Sequence, residues 1–445
     1  MLFTTDKQTL DDLNIFGKHS GGSIYTLFNQ TCTLGGAAVL EEMFLHPLAD
    51  TEAINTRSKN IQFFTGVAAF PFGAGLFDLA EQYLDHRDQR TILDHGGDSL
   101  VKKLGSLVVE DTNYKFVYNG VKAVFEIVNG LKEFLAMVRR KVNNPDDAET
   151  AAIVELLASS VLASIPLGTS KSKLSYSQVA DFDAVLRFRN RELIKKLLHY
   201  IYQLDVYISV GKTAIEQNFV FPIALPATSH LLAAEAIYHP MMKSAIPNSV
   251  KLIPEGNVIF LTGANMAGKS TFMKSLGSAL YLAHMGFPVA AKSMEFSVLD
   301  GIYTTINLPD NLGMGTSHFY AEVLRIKKIA KELSIGKKLF VIIDELFRGT
   351  NVKDAYEATV AITSAFAQKS SSMFVISTHI IEAGEVLKKQ CSNIRFFYLP
   401  TLLEHNKPVY TYRLKEGISD DRHGMIIINN ERILDILKSR KTKNA

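Results

Sequence analysis

Residues 262–271 read Thr-Gly-Ala-Asn-Met-Ala-Gly-Lys-Ser-Thr, and these ten residues decide the fold of the half of the chain that holds them. Gly263, Gly268, Lys269 and Ser270 fall in the frame G-x-x-x-x-G-K-[ST]. Glycines there let backbone N–H groups approach and cradle phosphates, the lysine reaches the β/γ-phosphate oxygens, and the hydroxyl holds Mg²⁺. The flanks agree. Asn257–Leu261 predicts a short buried strand before the loop, and Phe272–Leu282 a helix after it, whose N-terminus favours anions.

Working outward, Leu339–Ile343 is a wholly apolar run that ends in Asp344-Glu345. Two acids at the end of a buried strand are costly unless they face a charged site. With a phosphate loop in the same chain, Asp344 reads as the Mg²⁺ acid and Glu345 as the group that polarises the attacking water. Met373–Ser377 is a further strand, followed by Thr378-His379. A histidine at the carboxyl end of a parallel strand sits on the ligand edge of such a sheet, where it can contact a γ-phosphate. Residues 310–319 read Asp-Asn-Leu-Gly-Met-Gly-Thr-Ser-His-Phe before an amphipathic helix carrying Phe319, Val323, Ile326, Ala330 and Leu333 on one face. Ser317 is placed as its N-cap, or as a hydroxyl presented to a phosphate, which belongs to another subunit if the loop lies far from its own.

The remaining composition bounds the function. With 445 residues, 47% hydrophobic and 21% charged, the chain predicts two or three globular domains. A net charge of +3 gives no global footprint for nucleic acid and leaves a local one open. Cys32 and Cys391 stand far apart and offer neither a disulfide framework nor a metal pattern. The N-terminus carries acids without an apolar segment, and no run is apolar and long enough for a bilayer, so the expected place is the cytoplasm.

Residues up to about 218 read as helix, with candidates at Ser23–Phe44, Phe116–Lys141 and Ala148–Ala163. The run from Gln178 to Gln217 holds Phe182, Val185, Leu193, Leu197, Ile201, Leu204, Ile208 and Val210 with no Gly or Pro before Gly211. It predicts one straight helix, ~50–60 Å long at ~1.5 Å per residue. After the prolines of Phe219–Pro226, short apolar runs alternate with helices, the pattern of a parallel sheet covered by helices. The boundary falls near Phe221, giving domains 1–220 and 221–445.

Together these motifs resemble the MutS family of DNA mismatch-repair ATPases. Thr262–Thr271 is similar to that family's T-G-P-N-M-x-G-K-S-T, departing at Ala264 and Ala267. Asp310–Phe319 resembles D-D-L-x-x-G-x-S-T-F, with Asn311 and His318 as departures. Asp344–Asn351 resembles D-E-x-x-R-G-T-S, with Asp354 on the following acid, and Ser377-Thr378-His379 matches [AS]-T-H. Leu27–Arg57 resembles the start of the family's helical lever domain, and Leu204-Asp205-Val206 its return helix. The fold implied is an α-helical lever domain followed by an α/β P-loop ATPase domain of ABC type, its mostly parallel sheet flanked by helices.

The resemblance implies ATP and Mg²⁺ as cofactors. Gly263, Ala264, Asn265, Met266, Ala267, Gly268, Lys269, Ser270 and Thr271 would bind the nucleotide. Ser270 and Asp344 would hold the metal, and Glu345, His379 and Lys269 would be catalytic. Ser317 would reach the partner's nucleotide in trans, closing a homodimer through the ATPase domain. The family's adenine-stacking aromatic falls where Ala245 and Ile246 stand. No Phe-x-Glu mismatch wedge occurs, so the expectation is a short form without reader and connector domains, with direct mismatch reading unsupported. Lys171, Lys173, Arg187, Arg189, Arg191, Lys195 and Lys196 form either a solvated helix face or a contact to DNA phosphates. Two functions stay open: a DNA-associated repair ATPase switch with DNA and repair-protein partners, or an assembly ATPase that binds no DNA itself. An ATPase subunit of a membrane transporter shares the site logic, but the long helix and the lack of a membrane segment oppose it.

Overall fold

The computed structural model describes residues 3–17, 21–66, 69–93, 107–141, 148–166, 173–264, 266–306, 318–347, 350–404, 407–419 and 433–438. Its N-terminal region is helical: α1 (Lys7–Asp12), α2 (Ile24–Phe28), α3 (Leu34–Leu45), α4 (Thr51–Thr65), α5 (Ala74–Asp85), α6 (Leu107–Lys141), α7 (Ala148–Leu157), α8 (Ser160–Ala163), α9 (Tyr176–Asp183) and α10 (Arg191–Gln217). Strands follow as β1 (Ile223–Leu225), β2 (Leu232–Ile237), β3 (Asn248–Leu252) and β4 (Val258–Gly263), then α11 (Lys269–His284), β5 (Ser293–Ser297) and β6 (Gly301–Thr305). The chain continues through α12 (His318–Ser334), β7 (Leu339–Ile343), α13 (Val352–Ala367), β8 (Met373–Ser377), α14 (Ile381–Gln390) and β9 (Ile394–Leu399). It closes with β10 (Thr401–Glu404), β11 (Lys407–Tyr410), β12 (Lys415–Glu416) and α15 (Ile433–Lys438).

The compact units do not follow chain order. One gathers Met1–Phe28, Met43–Lys59 and Thr213–Ala445, the other Asn29–Glu42 and Asn60–Lys212.

The first unit is a mixed α/β domain. Its six-stranded sheet runs β12-β9-β4-β8-β7-β6, parallel throughout except for the β12–β9 pair. β7 and β8 are buried at every position, which is why Leu339–Ile343 and Met373–Ile376 are unbroken apolar runs rather than alternating ones. On one face Val258, Phe260, Val341, Ile343, Phe374 and Ile376 meet Ile326, Ile329 and Leu333 of α12, Ala355 and Phe366 of α13, and Leu387 of α14. α11 touches β4 and β6 of this sheet and also β1 and β2 of a smaller sheet ordered β1-β5-β2-β3. Packed on several sides, it is buried from Phe272 to His284 except at Lys274. β4 thus ends where α11 begins, and β7 and β8 end beside it.

The second unit is helical, and here one expectation fails. The run from Gln178 to Gln217 is not one straight helix. α9 ends at Asp183, a π-helical turn covers Ala184–Arg189, and α10 starts afresh at Arg191. The cause is Asn190, which leaves helical geometry at φ −126°, ψ 24°. Its backbone N–H and side-chain amide both donate to the Val185 carbonyl, at 2.9 and 3.0 Å. An asparagine that bonds nearby backbone competes with helix continuation. Among the described residues the longest helix is instead α6, with 35 residues. Ser23–Phe44 is likewise divided, because residues 29–33 separate α2 from α3.

The π-helical turn brings a second correction. Arg187 is no part of a basic surface: its side chain and that of Asp183 are both 0% exposed and pair at 2.6 Å. Tyr83 donates its hydroxyl to the other Asp183 oxygen at 2.7 Å, and Arg187 lies over the Tyr83 ring at 5.3 Å. Arg187 also donates to the Thr91 hydroxyl and carbonyl. Burial, then the neighbouring Asp183 charge, pushes the Tyr83 hydroxyl well above its ordinary pKa. Arg191 and Lys195 both pair with Asp85, at 2.7 and 2.5 Å. Lys171 lies outside the described residues.

Candidate functional site

The glycine loop joins β4 to α11 through left-handed backbone. Gly263 has φ +133°, Met266 +68° and Gly268 +102°. At Gly268 a Cβ would also stand 3.0 Å from the Tyr412 ring, so conformation and space both require glycine. Ala264 and Ala267, the two departures from the MutS pattern, are not among the residues with positive φ, so alanine is accommodated at both. Lys269 is buried and turns back into the loop, donating to the carbonyls of Gly263 at 2.8 Å and Ala264 at 3.1 Å. Burial pushes its ammonium pKa down, and the charges of Asp344 and Glu345 oppose that shift. A desolvated ammonium on weak acceptors is well placed to exchange them for phosphate oxygens.

Ser270 opens α11 and donates to Asp344 Oδ2 at 2.5 Å, while Ser377 at the end of β8 donates to Asp344 Oδ1. The Asp344 N–H donates to the Thr305 carbonyl at the end of β6, 2.8 Å away. Glu345 follows with φ +57°, a conformation that costs a non-glycine residue on the order of 1 kcal/mol. Bonds from its N–H to the carbonyl and hydroxyl of Ser377 hold it there. Glu345 Oε1 lies 2.7 Å from His379 Nε2. Three adjacent parallel strands, β4, β8 and β7, thereby deliver Lys269, Ser270, Asp344, Glu345 and His379 to one sheet edge. Asn351 caps α13 by accepting from the Asp354 N–H at 3.0 Å, which gives the end of the Asp344–Asn351 motif a local role. Asn265, Ser317, Arg348 and Gly349 lie outside the described residues, as does most of Asp310–Phe319.

A cavity of about 550 Å³ opens beside the loop. Lys269, Ser270 and Thr271 line it, together with His239, Met242, Ala245 and Ile246. Ala245 and Ile246 do stand in the wall where a stacking ring would be expected, but Tyr412 lines the same cavity from elsewhere in the chain. Asn248 staples that segment, donating to the Tyr412 carbonyl at 2.9 Å and accepting from the Leu414 N–H at 2.7 Å. Tyr412 itself sits at φ +55°. Sequence reading misses Tyr412 because its partner Asn248 is 164 residues away and nothing local marks it. Burial and the Lys274 charge lower the pKa of His239, so the cavity wall favours a neutral imidazole.

The residues present suit Mg²⁺. A hydroxyl and a carboxylate converge, and Mg²⁺ is commonly held by one or two carboxylates, with waters and substrate phosphates completing its shell. No cluster of three or more His, Cys, Asp or Glu side chains able to hold a metal alone occurs among the described residues. No helix among them is long and apolar enough to cross a membrane.

The chain is similar to known proteins over this region. The family model for MutS domain V matches residues 259–441. A DNA mismatch repair protein MutS from Persephonella marina is 26% identical over 254 residues, covering 55% of this chain and 29% of that protein. The namesake from Fusobacterium nucleatum is 27% identical over 263 residues, with the same shares. That from Anaplasma phagocytophilum is 30% identical over 226 residues, 50% of this chain and 27% of the relative. The chain thus matches under a third of the length of these curated relatives.

Proposed function

For this chain, a member of the MutS family through its domain V, we propose an Mg²⁺-dependent ATPase switch of the DNA-repair type, with a P-loop fold of ABC type. The observation that carries this reading is the convergence of Lys269, Ser270, Asp344, Glu345 and His379 at the ends of neighbouring parallel strands.

The phosphates lie along residues 263–271, with Lys269 leaving its loop carbonyls for the β/γ oxygens. Ser270 and Asp344 hold Mg²⁺, which neutralises charge on the phosphate oxygens when bound. Glu345 accepts a proton from the attacking water, and His379, 2.7 Å away, fixes the carboxylate and faces the γ-phosphate. The base enters the cavity against Tyr412 and Ile246. Ser317 contacts the nucleotide of a second copy, so ATP closes a homodimer and shifts the helical region by its differential affinity for the closed state. Domains 1–220 and 221–445 divide the work as lever and motor.

Glu345→Gln slows hydrolysis while keeping the nucleotide site, and is expected to trap an ATP-bound dimer in light scattering. A mutant that binds ATP and stays monomeric overturns the dimer switch. A second reading, an assembly ATPase that binds no DNA itself, draws support from Arg187 being buried and from Arg191 and Lys195 being paired with Asp85. Titration of duplex and branched DNA against salt decides between them, since phosphate contacts weaken steeply with ionic strength.

A further inference from the structure

The N-terminal segment is bound to β6, the strand next to the one that ends in the metal acid. β6 is the last strand of the six-stranded sheet, and its outer side would be an open row of backbone groups. Thr4 occupies the start of that row: its N–H donates to the Asp300 carbonyl at 2.8 Å, and its carbonyl accepts from the Ile302 N–H at 3.1 Å. Gly301 permits the approach, since a Cβ there would lie 2.3 Å from the Thr4 carbonyl oxygen.

Side chains take over at the far end of β6. The Thr304 N–H donates to the Thr9 hydroxyl at 3.0 Å. Asp12 Oδ2 accepts from the Thr304 hydroxyl at 2.8 Å and the Ile306 N–H at 2.9 Å. The Thr304 carbonyl accepts from Arg325 of α12 at 2.7 Å, and Arg325 also reaches the Thr305 hydroxyl at 3.4 Å. Arg325 is itself gripped by both carboxylate oxygens of Asp6, which pairs with Lys328 as well. Burial pushes the Asp6 carboxyl up, but bonds from Arg325 and Lys328 and the Arg325 charge hold it well below the usual carboxylate range. Thr9 and Asp12 are buried at 0% and 2% exposure. The residue enclosed by these bonds is Thr305, whose carbonyl receives the Asp344 N–H.

We infer that Asp6 and Asp12 are positioning residues for Asp344, acting through Thr304–Ile306 to fix where the metal-holding carboxylate stands. This rests on the ATPase reading above. It assigns a role in Mg²⁺ coordination to a segment about 330 residues away in sequence that touches no part of the nucleotide cavity.

The test is equilibrium binding of a fluorescent non-hydrolysable ATP analogue to the full chain, in EDTA and across a Mg²⁺ titration, with hydrolysis measured alongside. Asp12→Ala and Asp6→Ala are expected to leave affinity in EDTA within about twofold of the native chain, because residues 263–271 are untouched. The Mg²⁺ concentration at half-effect should rise about three- to tenfold, the loss typical of an outer-shell partner. Asp12→Asn keeps one acceptor oxygen and should recover most of the response. Folded variants with an unchanged Mg²⁺ midpoint overturn the inference, as does equal loss of binding with and without the metal. If both alanine variants fail to fold, Asp6→Asn and Thr9→Val carry the same comparison. A native chain that binds no nucleotide removes the ATPase reading before any variant is compared, and the inference with it.

Discussion

Two polar clusters, one in each compact unit, look alike on paper and behave in opposite ways. Around Asp344 the partners are hydroxyls, a loop-bound ammonium and a half-exposed His379, all groups that a ligand can displace. Around Asp183 the partners are Arg187 and Tyr83, sealed from water and bonded to its two oxygens. The backbone differs in the same sense. Glu345 and Phe347 are held at positive φ beside the first cluster, whereas a π-helical turn wraps the second. A buried charge therefore says little about function until it is known whether its partners can be exchanged.

The largest expected effect lies in the open cluster. Lys269→Ala should reduce ATP turnover by at least about a hundredfold, because a preorganised charge on the phosphates is lost. Thermal unfolding should shift little, since the ammonium is bonded only to loop carbonyls. A large fall in melting temperature would make the two clusters alike. The sealed cluster comes next. Arg187→Met leaves the Asp183 carboxylate buried and unpaired, which costs about 3–5 kcal/mol. Denaturant unfolding should show that loss while nucleotide affinity in the folded protein stays unchanged. Smallest is Tyr412→Ala, expected to weaken ATP about fivefold, or roughly 1 kcal/mol of ring contact. A calorimetric titration showing unchanged affinity would remove Tyr412 from the open cluster.

How legible this was depended on how local the cause was. β7 and β8 could be read to the residue because Leu339–Ile343 and Met373–Ile376 are consecutive apolar positions that admit one environment. Glycine loop, acids and histidine were readable because strand ends place them in order. The π-helical turn was not, because an apolar period does not register one extra residue, although Asn190 inside the run was its only mark. Arg187 looked like surface charge because its partners Tyr83 and Thr91 lie about a hundred residues upstream. Tyr412 and the Asp6–Arg325 pair were hidden for the same reason, and Ser317 falls outside the described residues.

The bond between Thr4 and Asp300 joins residues 296 positions apart, and this sets an order of events during synthesis. At ~5–20 residues per second, Thr4 leaves the ribosome roughly 15–60 s before the strand it lines has been made. For that interval Thr4, Thr9 and Asp12 travel without the β6 groups they bind, and water must hold their hydrogen bonds.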